Sequence, residues 1–542
     1  MKLIRVHVVA AQSCGGLLDG LDVRLRDATA SSDLFEPLCL IGPNGAGKSQ
    51  FIQIIAEAFQ SVLHACVPDE ERGECNPDLQ FEVEYLLSAE GSDHPTHVRA
   101  TRLAEGKRRP VVKLARRLAD EWIECDPRDS ITAALLPSKV IGYTSGANET
   151  LSLPFLVSRT GYAREVATRA LKAPEAQDAI PDNRLLLIDY GTHLEVLVAN
   201  LLLGSQRQRD ALLEDVRVQD LHSFRCVIQL AHPAVSTSGV SRSGRRKGIQ
   251  LTDELESYID QLRRCATSYQ HEPNTDSYTF DFLVTNETRK AFKTFWKRPL
   301  DLYGALHKVA MLNDLAIPKA TRSRFRQETL QRKFASRLPE PQDEDKVFRF
   351  ESVEFLADAG KGIVDYVSLS DGEHQMAQLL GTMCMVSFPN VLFLFDEPES
   401  HFNPQWRVKL LSRVLALPTA DGKRAEGGKA ARQDALLTTH SPFVASDVNK
   451  ERVFIFRKQP ETRAIEVRHP DIETFGTTFD AILAECFGIE PPISGVSMAR
   501  IEALGASEDP EEIQKGMSEL GDSVEKIMLA DRVRQLRRQS SQ

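Results

Sequence analysis

The sequence lacks any C-x-x-C pair, although its 542 residues include nine cysteines. Cysteines paired at that spacing mark zinc ribbons, zinc hooks and thioredoxin-like redox motifs, so the sequence excludes all three. Nine scattered cysteines also give no disulfide framework. We therefore expect buried or idle thiols in a reducing cytosol, which predicts a cytoplasmic protein.

Long apolar runs and repeated patterns are also missing. No stretch of about 18 apolar residues occurs, so we expect no transmembrane helix and no membrane partner. Residues 1–9 have too short an apolar run for a signal peptide, and no small-residue cleavage site follows them. The absence of internal repeats and of long heptad runs excludes a long coiled-coil arm.

The composition is that of a soluble globular chain. Hydrophobic residues make up 42% and charged residues 27%, which excludes a disordered or collagen-like protein. There are 67 Lys and Arg against 77 Asp and Glu, and the net charge of −10 argues against a protein that coats DNA. A local basic patch still leaves nucleic-acid binding open.

Short apolar strands alternate with helical patterns in both outer parts of the chain. Predicted strands lie at residues 3–9, 21–25, 38–41, 81–87, 97–103, 139–144, 348–356, 391–395, 435–438 and 452–456. Buried strands separated by helices imply a mostly parallel sheet, and the early strands at 3–9 and 81–103 imply an antiparallel layer beside it. Helical periodicity dominates the middle of the chain, with predicted helices at 184–203 and 212–221.

We therefore predict an α/β fold with four parts. These are an N-terminal lobe (1–160), a mainly helical insertion (161–345), a C-terminal lobe (346–470) and a helical tail (471–542). The tail carries apolar residues at helical spacing, namely Ile513, Met517, Leu520, Val524 and Ile527. They would pack on the protein's own core or contact a partner.

A glycine-rich segment joins strand 38–41 to a helical pattern. It reads Gly42, Pro43, Asn44, Gly45, Ala46, Gly47, Lys48, Ser49, which matches G-x-x-x-x-G-K-[ST] between a strand and a helix. Its glycines let backbone N–H groups point at phosphates, and the helix dipole adds to this. We predict that all eight residues bind ATP, with Lys48 on the β and γ phosphates and the Ser49 hydroxyl on Mg²⁺.

Two carboxylates follow the apolar strand 391–395. Asp396 is predicted to bind the Mg²⁺ shell, and Glu397 to act as the general base that activates water. Glu399 either begins the next helix or supports the residues that hold the metal.

Two further motifs flank this pair. Residues 368–375 read Ser-Leu-Ser-Asp-Gly-Glu-His-Gln, and residues 437–442 read Leu-Thr-Thr-His-Ser-Pro. With these four elements in this order, the chain resembles the ABC-type ATPase family and its ATPase head. The resemblance implies that Ser370 and Gly372 grip the γ-phosphate of ATP bound to the opposite subunit, and that His440 senses this phosphate.

The signature motif departs from the commonest form of the family, Leu-Ser-Gly-Gly-Gln. Asp371 and Glu373 occupy the places of the first glycine and the glutamine. Ser370 with Glu373 also fits a capping box for the helix that follows, and both roles are compatible.

Two other segments resemble family elements less closely. Residues 399–404 resemble the stretch that contacts the other subunit. Residues 143–149 occupy the place of the Q-loop but contain no glutamine, so Ser145, Asn148 and Glu149 are the candidates for reaching Mg²⁺.

The spacing of the motifs narrows the resemblance. About 320 residues separate Ser49 from Ser368, a much longer interval than in transporter ATPases. With this interval and the motifs Asp-Glu-Pro-Glu and Thr-His-Ser-Pro, the chain resembles the branch of ABC-type ATPases that contains SMC, RecF and overcoming-lysogenization-defect proteins. Within it, the chain resembles the ATPase subunit of Septu and retron-linked anti-phage systems and restriction system-associated AAA family ATPases, also over residues 143–149 and 474–480.

This resemblance implies a homodimer or higher oligomer that closes around ATP, and an HNH nuclease as partner. A retron reverse transcriptase with its msDNA is a further candidate partner. No Toprim-like acidic cluster and no separate H-N-H arrangement occurs, so we expect an ATPase without nuclease activity that regulates an effector nuclease in bacterial anti-phage defence.

Two alternatives share the motifs. A DNA repair or chromosome-handling ATPase would carry all of them, whereas a transporter ATPase would need a membrane partner and would not need the insertion. Two sets of cations are candidate phosphate contacts or solvated surface: Arg242, Arg245, Arg246 and Lys247 in a loop, and Arg289, Lys290, Lys293, Lys297 and Arg298 with Trp296 on a helix.

Overall fold

The computed structural model describes the chain except for a set of short segments. These are residues 29–33, 89–93, 107, 146–148, 172–178, 190, 215, 232–247, 332–339, 358–361, 420–421, 427, 429–431 and 540–542. The basic loop residues Arg242, Arg245, Arg246 and Lys247 lie outside the described residues.

The described residues form strands and helices in alternation along the chain. The strands are β1 (Lys2–Ala10), β2 (Leu21–Arg24), β3 (Leu38–Ile41), β4 (Gln80–Leu87), β5 (Thr96–Leu103), β6 (Val111–Leu118), β7 (Glu121–Cys125), β8 (Lys139–Thr144), β9 (Leu185–Ile188), β10 (Val218–Gln229), β11 (Ser268–Glu272), β12 (Ser277–Leu283), β13 (Phe348–Ala357), β14 (Ile363–Asp365), β15 (Val391–Asp396), β16 (Pro418–Thr419), β17 (Gly422–Lys423), β18 (Asp434–Thr439), β19 (Val453–Lys458) and β20 (Ile465–Arg468). The helices are α1 (Lys48–Cys66), α2 (Glu149–Arg169), α3 (His193–Leu203), α4 (Gln206–Leu213), α5 (Asp253–Cys265), α6 (Asn286–Phe295), α7 (Pro299–Ala310), α8 (Asn313–Ala316), α9 (Lys319–Gln331), α10 (Asp371–Met385), α11 (Pro404–Ala416), α12 (Pro442–Ala445), α13 (Phe479–Phe487), α14 (Gly495–Ala506), α15 (Pro510–Met517) and α16 (Val524–Gln539).

A seven-stranded sheet forms the centre of the fold, in the order β20-β19-β3-β18-β15-β8-β9. All neighbours are parallel except β20, which runs antiparallel to β19. In β15, Phe393 and Phe395 pack into one apolar core, while Leu392 and Leu394 pack into the other. Burial on both faces explains why the central strands are apolar throughout, and the mixed α/β architecture is confirmed.

The strand order determines which loops meet. β3 and β15 lie on either side of β18, and all three end on the same side of the sheet. The segments that follow them contain Gly42, Glu397 and His440, respectively. Three stretches of sequence that are far apart therefore converge at one edge of the sheet, as is usual for ligand sites in open α/β sheets.

An antiparallel sheet covers helix α1 on one face of the central sheet. Its order is β2-β1-β4-β5-β6-β7, so the predicted antiparallel layer is present and two strands longer than expected. Phe59 of α1 packs edge-on against Tyr85 of β4, with ring centroids 5.4 Å apart. The added strands, β6 and β7, carry many exposed charged residues, which obscured their alternation in the sequence.

The middle of the chain contains strands as well as helices, and two predicted helices are partly wrong. Leu185–Ile188, expected within a helix, forms β9 at the edge of the central sheet. Val218–Leu221, expected to end another helix, begins β10. A short apolar run with both faces buried cannot be assigned to helix or strand from its periodicity.

Strand β10 builds a second antiparallel sheet, in the order β11-β12-β10-β13-β14. The predicted strand at 348–356 is therefore present as β13, but it pairs with β10 and not with the central sheet. Phe224 of β10 stacks on Phe282 of β12, with ring centroids 4.4 Å apart. The region predicted as a mainly helical insertion thus contributes to two sheets.

The tail is helical, but its apolar residues do not share one helix face. Helix α15 ends at Met517 and α16 begins at Val524, so the predicted helical spacing of these apolar residues is interrupted. Ile513 is buried in a small cluster formed by α14–α16, whereas Val524 and Ile527 are 61% and 70% exposed.

In the described part of the chain, no helix combines the length and the hydropathy needed to cross a bilayer.

Candidate nucleotide site

The loop between β3 and α1 has a backbone that requires glycine. Gly42 adopts φ 141°, and a Cβ there would lie 2.2 Å from the carbonyl oxygen of Phe456 on β19. Gly45 and Gly47 have φ values of 75° and 87°, in the left-handed region that favours glycine. Helix α1 then begins at Lys48, which leaves its unpaired N–H groups at the end of the loop. This backbone fits the phosphates of a nucleotide.

Lys48 is buried and lies across this loop. Its Nζ donates to the carbonyl oxygens of Gly42 (2.9 Å) and Pro43 (3.2 Å) and lies 3.1 Å from Nε2 of His440. Burial lowers the pKa of Lys48 to about 8, although Glu397 and Asp396 oppose the shift. The amine is therefore mostly charged at neutral pH.

Ser49 and Asp396 lie side by side, as a magnesium site requires. The Ser49 hydroxyl donates to Oδ1 of Asp396 (2.8 Å), and the Thr438 hydroxyl donates to the same oxygen (2.6 Å). Burial raises the pKa of Asp396, and these two hydrogen bonds oppose the shift. Hydroxyl and carboxylate oxygens suit Mg²⁺, so these two side chains would hold the ion together with nucleotide phosphates.

Glu397 is held in a strained backbone conformation. Its φ is 47°, rare for a residue with a side chain, and its N–H donates to the Thr438 hydroxyl (3.0 Å). The hydrogen bond to His440 holds the pKa of Glu397 below its usual value. The side chain is 40% exposed. An ionised, accessible carboxylate at this place can accept a proton from water.

His440 connects Lys48 to Glu397. Its Nε2 lies 3.1 Å from Nζ of Lys48 and 3.2 Å from Oε1 of Glu397. One ring nitrogen accepts a hydrogen bond from the amine or donates one to the carboxylate, but not both. Loss or movement of the Lys48 amine therefore changes whether His440 can donate a hydrogen bond to Glu397.

Glu399 does not begin the next helix, since α11 starts at Pro404 with Asn403 as its cap. Its buried carboxylate accepts a hydrogen bond from the Thr439 hydroxyl, while Oε2 has no partner among the described residues. Burial raises the pKa of Glu399 to about 7. Glu399 thus supports the segment that carries His440, and the alternative that it begins the next helix is wrong.

The signature segment lies outside the nucleotide site of its own chain. Ser370 is exposed and caps α10, and its N–H and hydroxyl both donate to Oε2 of Glu373 (2.8 Å each). A Cβ on Gly372 would lie 3.0 Å from the carbonyl oxygen of His401 and 3.2 Å from the Trp406 ring. In the described part of the chain, no hydrogen bond joins Ser370 or Gly372 to the loop at 42–49.

The Q-loop candidates are only partly described. Asn148 lies outside the described residues, and so does the side chain of Glu149. The carbonyl oxygen of Ser145 accepts a hydrogen bond from Nε2 of Gln375 on α10 (2.5 Å). Sequence reasoning gave no role to Gln375, although it lies one helical turn after Gly372 in the signature motif.

Sequence reasoning also gave no role to Thr438 and Thr439, which hold Asp396 and Glu399, respectively. The signal for both was a pair of hydroxyl residues at the end of an apolar strand, next to the predicted histidine. Two hydroxyls at such a strand end lie within reach of the carboxylates that end the neighbouring parallel strand.

The predicted basic helix offers fewer cations than expected. Arg289 donates to Asp220 (2.8 Å) and to the carbonyl oxygen of Leu201, so its charge is used within the fold. Trp296 is buried and lies after the end of α6. Lys290 and Lys293 remain exposed on this helix.

These features are those of a P-loop ATPase domain. A protein-family profile described as "AAA domain, putative AbiEii toxin, Type IV TA system" matches residues 266–447. That span contains Ser370, Asp396, Glu397 and His440, whereas the glycine-rich loop precedes it.

A curated relative shares a shorter stretch. The chain is 38% identical to "Protein ea59" of Escherichia phage lambda over 104 residues, which is 19% of this chain. The match covers 18% of that protein, so less than a fifth of the relative's length is represented.

Proposed function

We propose that the chain is an ABC-type ATPase that closes around ATP as a dimer or within a higher oligomer. The observation that carries this proposal is the division of the site. Glu397 is 40% exposed, and Ser370 is exposed and, among the described residues, forms no hydrogen bond to the glycine-rich loop. A second copy that presents its Ser370 to this loop would complete the site.

Each residue then has a stated task. Lys48 neutralises phosphate charge, Ser49 and Asp396 hold Mg²⁺, and Glu397 accepts the proton of the attacking water. The metal contributes charge neutralisation at the phosphates. His440 lies between the Lys48 amine and the Glu397 carboxylate, so a phosphate bound to Lys48 affects the hydrogen bond to Glu397.

The test is complementation between two inactive variants. Lys48→Ala removes the phosphate contact but keeps the signature segment, whereas Ser370→Arg keeps the loop and blocks the signature. Each alone should lack ATPase activity. An equimolar mixture should recover about a quarter of the wild-type rate, because half of randomly formed dimers hold one intact composite site out of two.

Ser257→Arg is a matched control for Ser370→Arg, because it places the same side chain at an exposed serine on α5, and its ATPase activity should stay near that of wild type. A mixture whose rate equals the sum of the two separate variants would contradict the composite site. So would a wild-type rate per molecule that stays constant at extreme dilution.

We further propose that the ATPase regulates a partner nuclease, of HNH type, in anti-phage defence. Support comes from the resemblance to Septu and retron-linked ATPases and from the family description, which names a toxin of a type IV toxin–antitoxin system. Purification of the chain from its complete native operon should recover a nuclease with it, identified by mass spectrometry. Recovery of repair proteins instead would favour a chromosome-handling ATPase.

A further inference from the structure

A cavity of about 70 Å³ lies between α2, β9 and α7. None of its lining residues belongs to the loop at 42–49 or is Asp396, Glu397 or His440. One link to the helix of the signature segment is a hydrogen bond from Nε2 of Gln378 on α10 to the carbonyl oxygen of Asp189, a lining residue (2.6 Å). The cavity is therefore separate from the nucleotide site.

Three polar atoms on the wall of this cavity have no hydrogen-bond partner among the described residues. They are the hydroxyl of Tyr303, Nδ1 of His307 and Nε of Arg159. Tyr303 is only 1% exposed, so water outside the protein does not satisfy its hydroxyl. Buried polar atoms are nearly always paired, and three unpaired atoms around one cavity indicate that something else pairs with them.

Most charged groups around the cavity are paired within the fold. Lys308 is neutralised by Asp182 (2.7 Å) and Glu254 (2.6 Å), and Arg159 uses its terminal nitrogen on Asp314 (3.1 Å). Nζ of Lys139 donates to the carbonyl oxygen of Asn183 (2.6 Å) and forms no ion pair within the described residues.

The other acid among the lining residues, Asp189, already accepts hydrogen bonds. Asp189 accepts hydrogen bonds from the N–H of Gly191 (2.9 Å) and the hydroxyl of Thr192 (3.2 Å) in its own turn. Burial lowers the pKa of His307 to about 3, so its ring is neutral, and it stacks on the Tyr303 ring with centroids 5.3 Å apart. The free groups are thus hydrogen-bond donors, namely the Tyr303 hydroxyl, Nε of Arg159 and the amine of Lys139, whose pKa is lowered by burial. Such donors suit an acceptor with negative charge.

We propose that this cavity binds a small organic anion, whose carboxylate or phosphate meets Tyr303, Arg159 and Lys139. The rest of the wall is mainly apolar, with Leu156 and Met311 among its residues, and so fits a hydrocarbon or aromatic body. A water needs on the order of 10–15 Å³ of such space, so the cavity has room for a ligand of several non-hydrogen atoms.

The test uses the full-length protein and a panel of probes: benzoate, phenyl phosphate and inorganic phosphate, with benzamide as the uncharged counterpart of benzoate. Binding is measured by calorimetry and by ligand-observed NMR. ADP and Mg²⁺ are present in excess, so that phosphate probes do not report the nucleotide site. The same panel on Lys48→Ala gives unchanged affinities if the two sites are separate, whether or not the proposed ATPase function holds.

Two variants test the cavity directly. Tyr303→Phe removes one hydroxyl and should weaken the binding of the anion about tenfold or more. Tyr162→Phe is its matched control, because Tyr162 is also buried with an unpartnered hydroxyl but does not line the cavity. Loss of an unpaired buried hydroxyl does not destabilise a protein, so both variants should fold.

Gly304→Leu tests the cavity without removing a donor. A Cβ on Gly304 meets only Oδ2 of Asp182, at 3.8 Å, so a larger side chain can enter the space that the ligand would use. This variant should abolish binding. Failure of every anionic probe to bind wild type would overturn the proposal. Equal affinity for benzoate and benzamide would overturn it too, as would unchanged binding in both Tyr303→Phe and Gly304→Leu.

Discussion

Replacement of Glu397 by glutamine is expected to preserve ATP affinity and to slow hydrolysis by about 10²- to 10⁴-fold. Glutamine keeps the shape of the side chain and its contact distance to His440, but it cannot accept the proton of water. ATP should therefore remain bound, and the closed dimer should accumulate. Single-turnover hydrolysis of radiolabelled ATP, together with light scattering after gel filtration, measures both effects.

Glu399→Gln is the matched control for this change. It alters a carboxylate two residues further along the same loop, but one that is buried and accepts a hydrogen bond from Thr439. Its hydrolysis rate should stay within a few-fold of wild type. Similar rates for Glu397→Gln and wild type would remove Glu397 from its role as general base.

The central part of the fold was predictable because its strands are buried on both faces. The runs at 38–41 and 391–395 contain only apolar residues, so no other local structure competes with a buried strand. The second antiparallel sheet was not predictable, because its pairing joins β10 to β13 across more than a hundred residues. Periodicity reports which face of a segment is buried, and it does not report which distant segment covers that face.

The same limit applies to the site. The loop at 42–49 can be recognised from the spacing of its residues, since glycine, lysine and serine must occupy fixed places around a phosphate. Thr438 and Gln375 carry no such spacing. Their roles arise from strand order and helix docking, which place Thr438 against Asp396 and Gln375 against Ser145. The partner of a positioning residue is therefore known only when the sheet order is known.

Replacement of Lys48 by alanine is expected to weaken ATP binding at least a hundredfold. Without nucleotide, the amine bonds only to the carbonyl oxygens of Gly42 and Pro43 and lies against His440, so it is already held where phosphates would bind. Loss of two charge-assisted hydrogen bonds accounts for an effect of this size. Calorimetric titration with a non-hydrolysable ATP analogue measures it.

Lys2→Ala is the matched control for Lys48→Ala. Lys2 is also buried, burial also lowers its pKa to about 8, and its amine donates to the carbonyl oxygen of Leu34, away from the glycine-rich loop. The affinity of Lys2→Ala should equal that of wild type. Equal losses in both variants would mean that removal of any buried lysine disturbs the fold, and that Lys48 has no specific contact with nucleotide.

Lys48 also makes nucleotide binding depend on pH, and the sign follows from its pKa of about 8 in the nucleotide-free protein. Phosphate charge raises that pKa, so binding takes up a proton once the pH exceeds about 8 and takes up none well below it. Affinity should therefore fall as the pH rises through this value. Titrations about one pH unit above this pKa, in two buffers of different ionisation enthalpy, should give an uptake approaching one proton per nucleotide in wild type and in Lys2→Ala. The uptake should vanish in Lys48→Ala, and an equal uptake there would assign the proton to another group.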